Sequence, residues 1–102
     1  MTRKYMVVFE KGAKNWSAFS PEIPGCGSLG DTLDETRENM QDAIHVYLEE
    51  TIKDGEPIPD AVATGMNIEE FDPNREAKQY VIEWLPVAIP KPLTPSASTQ
   101  AA

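Results

Sequence analysis

Thr32-Leu33-Asp34-Glu35-Thr36-Arg37-Glu38-Asn39-Met40-Gln41-Asp42-Ala43-Ile44-His45-Val46-Tyr47-Leu48-Glu49-Glu50-Thr51-Ile52-Lys53-Asp54-Gly55 is the stretch whose periodicity decides the fold. Leu33, Thr36, Met40, Ala43, Ile44, Tyr47, Leu48 and Thr51 recur at steps of three and four, which draws one packed stripe along an amphipathic helix. Thr32 and Glu35 have the spacing of a capping box, in which a hydroxyl and a carboxylate satisfy free amides of the first turn reciprocally. Asp34 and Glu35 suit the positive end of the helix dipole and Lys53 the negative end. Gly55 tolerates the left-handed conformation that closes a helix, and Pro57 and Pro59 bar any restart.

Upstream the period changes to two. Over Lys4–Glu10, Tyr5, Val7 and Phe9 fall on one side and Met6 and Val8 on the other, so the segment reads as a central strand apolar on both faces. Lys11-Gly12-Ala13-Lys14-Asn15 suits a hairpin turn with a positive φ, and Trp16–Ser20 is the return strand. Pro21-Glu22-Ile23-Pro24-Gly25 cannot continue a regular ladder, because its prolines lack amide donors, and a sharp corner is expected there. Cys26–Asp31 follows as a short strand weakened by Gly27 and Gly30.

Downstream, Glu56 to Ala77 is irregular, with turn signals at Gly65 and Asp72-Pro73-Asn74 and a brief helical turn expected near Arg75–Lys78. Gln79–Leu85 alternates again and reads as the last strand. From Pro86 on, four prolines set among Ser, Thr and Ala predict an extended or disordered tail, giving a domain over 1–86 and a tail over 87–102. The order is β-β-β-α-β, an α+β fold with a small antiparallel sheet and one helix on one face. A single helix covers one side only, so the other side is expected to need a second copy or a partner.

The chain of 102 residues has room for one ordinary domain. Cys26 is its only cysteine, which rules out an internal disulfide and a cysteine-based zinc site and fits residence in the cytoplasm. The apolar run after the basic start ends within five residues, too short for a signal-peptide core, and no stretch is long enough for a membrane helix. Of the net charge of −8, all sits between Asp31 and Asp60, where ten acids face two bases; the remainder balances at seven against seven. Such a segment disfavours direct contact with nucleic acid and fits a basic protein partner, or else is a solvated helix face.

Tyr5-Met6-Val7-Val8-Phe9-Glu10-Lys11, Trp16 through Cys26 with its Pro21-Glu22-Ile23-Pro24-Gly25 corner, Gly30-Asp31-Thr32-Leu33 with Asn39, Ala43 and Ile44, and Asp54-Gly55-Glu56-Pro57-Ile58-Pro59 together resemble the HicB antitoxins. The resemblance implies a partial ribonuclease H-like fold, assembly into dimers or tetramers, and inhibition of HicA toxins, small basic ribonucleases that cleave mRNA. It implies no cofactor. Many relatives add a C-terminal DNA-binding domain, whereas here only the proline-rich segment follows Leu85, so direct promoter binding is not expected. An orphan binding module with a different protein partner is the alternative within the same fold.

A metal-dependent nuclease is the rival from another class. It needs several carboxylates converging on Mg²⁺. Glu10 ends the first strand, but Glu38 and Asp42 fall opposite the apolar stripe, so no catalytic residue or metal ligand is assigned. His45 shares the exposed helix side with Gln41, Asp42 and Glu49 and reads as solvated. Cys26 reads as a small, half-buried residue at a strand start. The expected partner-binding residues are the acids Glu38, Asp42 and Glu49, Glu22 at the corner, and the aromatics Trp16 and Phe19. Those two aromatics cannot share one core, because strand residues three apart face opposite ways, so one of them is the interface anchor.

Overall fold

The computed structural model describes residues 2–65, 70, 72–74 and 77–90. Its elements are β1 (Thr2–Lys11), β2 (Trp16–Phe19), β3 (Gly27–Gly30), α1 (Leu33–Lys53) and β4 (Gln79–Ala88). The strands form one sheet in the order β3-β2-β1-β4, each pair antiparallel. The β-β-β-α-β order and the central place of β1 agree with the expectation from the sequence.

The helix ends are built as their residues predict, with one shift. Thr32 Oγ1 accepts the Glu35 amide at 3.1 Å, but Glu35 Oε1 reaches past Thr32 to the Asp31 amide at 2.6 Å. At the other end Gly55 takes φ +74°, and the amides of Gly55 and Glu56 bond back to Ile52 and Thr51, both at 3.0 Å, a Schellman closure. Thr36, Met40, Ile44 and Leu48 are fully buried, with Leu33, Ala43 and Tyr47 at the margin. They pack on Tyr5, Val7, Phe9, Trp16, Ala18, Leu85 and Val87, the helix-facing set of the sheet. Each such aliphatic side chain contributes about 1.5–3 kcal/mol relative to exposure.

The short strand β3 depends on its glycines. A Cβ on Gly30 would stand 2.5 Å from Thr36 Oγ1 and 2.8 Å from the Thr36 amide, so glycine is what lets the first helical turn lie against the strand. The corner before β3 consists of two consecutive turns, closed by Ile23 N–H to Ser20 O and Cys26 N–H to Ile23 O, with Gly25 at φ +82°. In the first hairpin the Gly12 amide bonds to the Asn15 carbonyl at 2.8 Å, and Gly12 itself does not adopt a positive φ.

Two sequence readings are corrected. The last strand runs three residues beyond Leu85, through Pro86 to Ala88. Pro86 fits because Met6 sends its amide to Glu22, away from β4, so Trp84, its opposite number, also turns its backbone groups away from β1. Pro86, two residues on, therefore has its missing donor at the outer edge, where a strand tolerates proline. Second, the face away from the helix is not bare. Met6 and Val8 are 1% and 0% exposed within the single chain. The described cover comes from the segment after α1, which crosses to that side and places the Ala63 carbonyl 2.9 Å from Trp84 Nε1. The chain itself thus covers the middle of this face, while Trp84 and Leu29 on it stay exposed. The Arg75–Lys78 turn lies partly, and the tail from Lys91 wholly, outside the described residues.

Candidate protein-binding surface

The outer side of α1 carries Asp34, Glu35, Glu38, Asp42, Glu49 and Glu50, all exposed. Beside Asp34, Glu38 and Asp42 runs a polar row at steps of four, Arg37, Gln41 and His45, which leans on β4. Arg37 grips Glu83 through Nε and Nη2 at 2.8 and 2.7 Å, reaches Asp34 at 2.5 Å, and lies 5.9 Å above the Phe9 ring centre. Hydrogen bonds from Arg37 hold the Glu83 carboxyl below its usual range, outweighing partial burial. Gln41 Nε2 donates to the Pro86 carbonyl at 3.0 Å, and His45 sets Nδ1 3.2 Å from the Ala88 carbonyl. His45 is thus not simply solvated: it caps a strand edge, with Nε2 3.9 Å from Glu49.

At the opposite edge Asn39 Nδ2 donates to the Leu29 carbonyl of β3 at 2.8 Å. One helix therefore caps backbone carbonyls on both outer strands, which restrains edge-to-edge pairing there. The edge-capping roles of Asn39 and Gln41 and the Arg37–Glu83 pair were not anticipated from the sequence. The signal was present in the four-residue spacing of Arg37, Gln41 and His45 beside the apolar stripe.

The corner acid behaves differently from the helix acids. Glu22 is half-buried and its carboxylate accepts three main-chain amides: Met6 at 2.8 Å on Oε1, and Val62 at 2.5 Å and Ala63 at 2.9 Å on Oε2. Both of its oxygens are engaged inside the chain. The aromatics separate as strand geometry requires. Trp16 packs into the helix-side core at 9% exposure, and Phe19, opposite Val8, lies on the far face. Trp16 is thereby withdrawn from the surface. Trp84 is the more open aromatic, 44% exposed, and Leu29 shares its face. Cys26 is a buried free thiol whose pKa is raised by desolvation. Glu10 falls on the far face, across from Tyr80 and away from Glu38 and Asp42, so those carboxylates do not meet. Burial first, and then the nearby Asp72, raises its pKa.

Residues 5–96 match the family model described as the HicB_like antitoxin of bacterial toxin-antitoxin system. The chain belongs to the HicB-like antitoxin family. A UPF0150 protein of Synechocystis sp. is 39% identical over 56 residues, 54% of this chain and 71% of that protein. A 14.9 kDa protein of Haemophilus phage HP1 is 31% identical over 78 residues, 76% of this chain but only 56% of the phage protein. The N-terminal domain of the Burkholderia pseudomallei antitoxin HicB superposes with a TM-score of 0.53 at 25% identity, covering 78% of this chain and 94% of that domain. A chain of the HicA3 and HicB3 toxin-antitoxin complex gives a TM-score of 0.57 at 22% identity over 89% of this chain, a likeness of fold.

Among the described residues of this HicB-like chain, the exposed features include the acidic outer side of α1, the outer edge of β4, and the apolar residues Leu29, Val46, Val62 and Trp84. Among the described residues no group of three or more metal-binding side chains comes together. No described helix is long and apolar enough to cross a membrane.

Proposed function

We propose that this chain is an antitoxin that neutralises a small, basic, HicA-like mRNA-cleaving toxin by binding it and occluding its RNA-binding surface, with no catalysis or cofactor of its own. Membership in the HicB-like antitoxin family carries the reading. The charge distribution supports it, since Glu38 and Asp42 are exposed and, among the described residues, enter no ion pair. Free acids on a rigid helix accelerate encounter with a cationic surface and fix its approach.

The test is direct. Mixed with a small basic HicA-like toxin, the chain should abolish that toxin's cleavage of mRNA. Changing Glu38, Asp42 and Glu49 together to Gln leaves the buried stripe untouched and should slow association about tenfold or more and flatten its salt dependence, because exposed charges act over about 8 Å at physiological ionic strength. Full cleavage in the presence of excess chain would refute the antitoxin reading. An unchanged on-rate in the triple variant would move the contact away from the helix.

A further inference from the structure

Two backbone positions on β4 have no partner among the described residues. Residues 80, 82, 84, 86 and 88 turn their amides and carbonyls to the outer edge, by the same alternation that places the Pro86 and Ala88 carbonyls under Gln41 and His45. At Ile82 and Trp84 neither group forms a hydrogen bond among the described residues. The strand is therefore closed at its end, by proline and two helix side chains, and open in its middle. Glu38 and Asp42 stand one residue beyond Arg37 and Gln41, the members of the row that leans on this strand. The Trp84 ring adds an exposed apolar surface on the far side. The β3 edge makes a poorer template, with four residues, glycine at both ends and the Leu29 carbonyl already taken by Asn39.

We propose that the Ile82–Trp84 edge of β4, bordered by Glu38 and Asp42 of α1, docks a basic, extended protein segment that adds to the sheet as a fifth strand. This deepens the antitoxin reading and rests on it for the identity of the protein that supplies the segment. Main-chain pairing supplies affinity without demanding a particular sequence, and alternate side chains of the added strand fall toward the helix or toward Trp84. Lysine or arginine on the helix side meets unpaired carboxylates, whereas a second copy of this chain, itself at −8, would set acid against acid. The capped carbonyls at Pro86 and Ala88 limit how far the added strand extends.

The experiment uses the full chain labelled for amide detection and an eight-residue peptide of alternating lysine and valine, blocked at both ends. Binding should shift the Ile82 and Trp84 amides and slow their hydrogen exchange. The fully N-methylated peptide, which keeps every charge and loses every amide donor, should bind at least tenfold more weakly, and a glutamate–valine peptide should not bind. Ile82→Pro removes one edge donor at a position equivalent to Pro86 and should weaken the lysine–valine peptide at least tenfold. Equal binding of the N-methylated peptide, shifts centred on Gly27 and Leu29, no binding of the parent peptide, or a parent dimer that Ile82→Pro dissociates would each overturn the proposal, the last by making a second copy the occupant. A peptide that docks on β4 alongside a toxin left uninhibited would sink the antitoxin reading and keep the strip. A toxin inhibited equally by the parent and by Ile82→Pro would sink the strip and keep the antitoxin.

Discussion

On the helix side, β1 presents Tyr5, Val7 and Phe9 to Met40, Ile44 and Leu48; on the other side it presents Met6 and Val8, where the described cover is the segment tied down through Glu22. All five strand residues are at most 1% exposed. Equal burial is reached by unlike means. The helix side is closed by interlocking apolar side chains of a regular element. The far side is fastened by one carboxylate on two amides and by Trp84 on the Ala63 carbonyl, after Tyr5 and Arg3, on the helix side, have held the Pro59 carbonyl at 2.7 and 3.1 Å. Packing resists any displacement in proportion to area lost, while a few hydrogen bonds yield together once one is broken.

That contrast breaks first at the helix. Ile44→Ala should cost about 2–5 kcal/mol, read from the urea midpoint at unchanged slope, because the tightly packed stripe cannot collapse around the void. A loss under about 1 kcal/mol would mean that the helix side is as loosely closed as the other.

Next in size is Glu22→Ala, which leaves the amides of Met6, Val62 and Ala63 without their acceptor and should cost about 1–3 kcal/mol. Hydrogen exchange at Val62 and Ala63 should quicken while amides in the middle of α1 stay protected. Equal acceleration in both regions would show that the two closures are one cooperative unit.

The smallest effect sharpens the comparison through pH, with one glutamate on each face. Glu83, on the helix side, has its carboxyl held low by Arg37, so its contribution is present above the usual glutamate range, near about 4.3, and is lost as pH falls through its lower folded value. Glu83→Gln should therefore cost about 0.5–1 kcal/mol at pH 7 and almost nothing at the acid limit. Glu10, on the far side, is raised by burial and then by Asp72, so its favourable contribution exists below the unfolded value and disappears as pH rises through the folded one. Glu10→Gln should be neutral or stabilising at pH 7. Melting curves at several pH values would separate the two, and parallel profiles for both variants would contradict this assignment.

The helix was legible because its information is local: a cap, a stripe at steps of three and four, and Gly55 all lie within its own span. The two faces of β1 were legible for the same reason. The Glu22 clamp was not, since its amides at 62 and 63 lie some 40 residues away and no periodicity marks a polar contact of that range. Pro86 was misread as a strand end because only the sheet order shows that its amide position faces outward. Of the site, the acids on α1 were visible as an excess of charge. That Arg37, Gln41 and His45 lean on β4 depends on how α1 crosses the sheet, which the helix sequence does not contain.

Glu22, Trp84, Tyr5 and Arg3 all fasten the post-helix segment by its main chain. No side chain at Val62 or Ala63 takes part in those bonds, and Val62 is 77% exposed. Any residue except proline at either position keeps the tethers, since only proline lacks the donated hydrogen. The fold therefore leaves a stretch of surface beside Trp84 whose lettering can be rewritten from one chain to the next without reopening the sheet, a place where partner preference can drift while the architecture stays fixed.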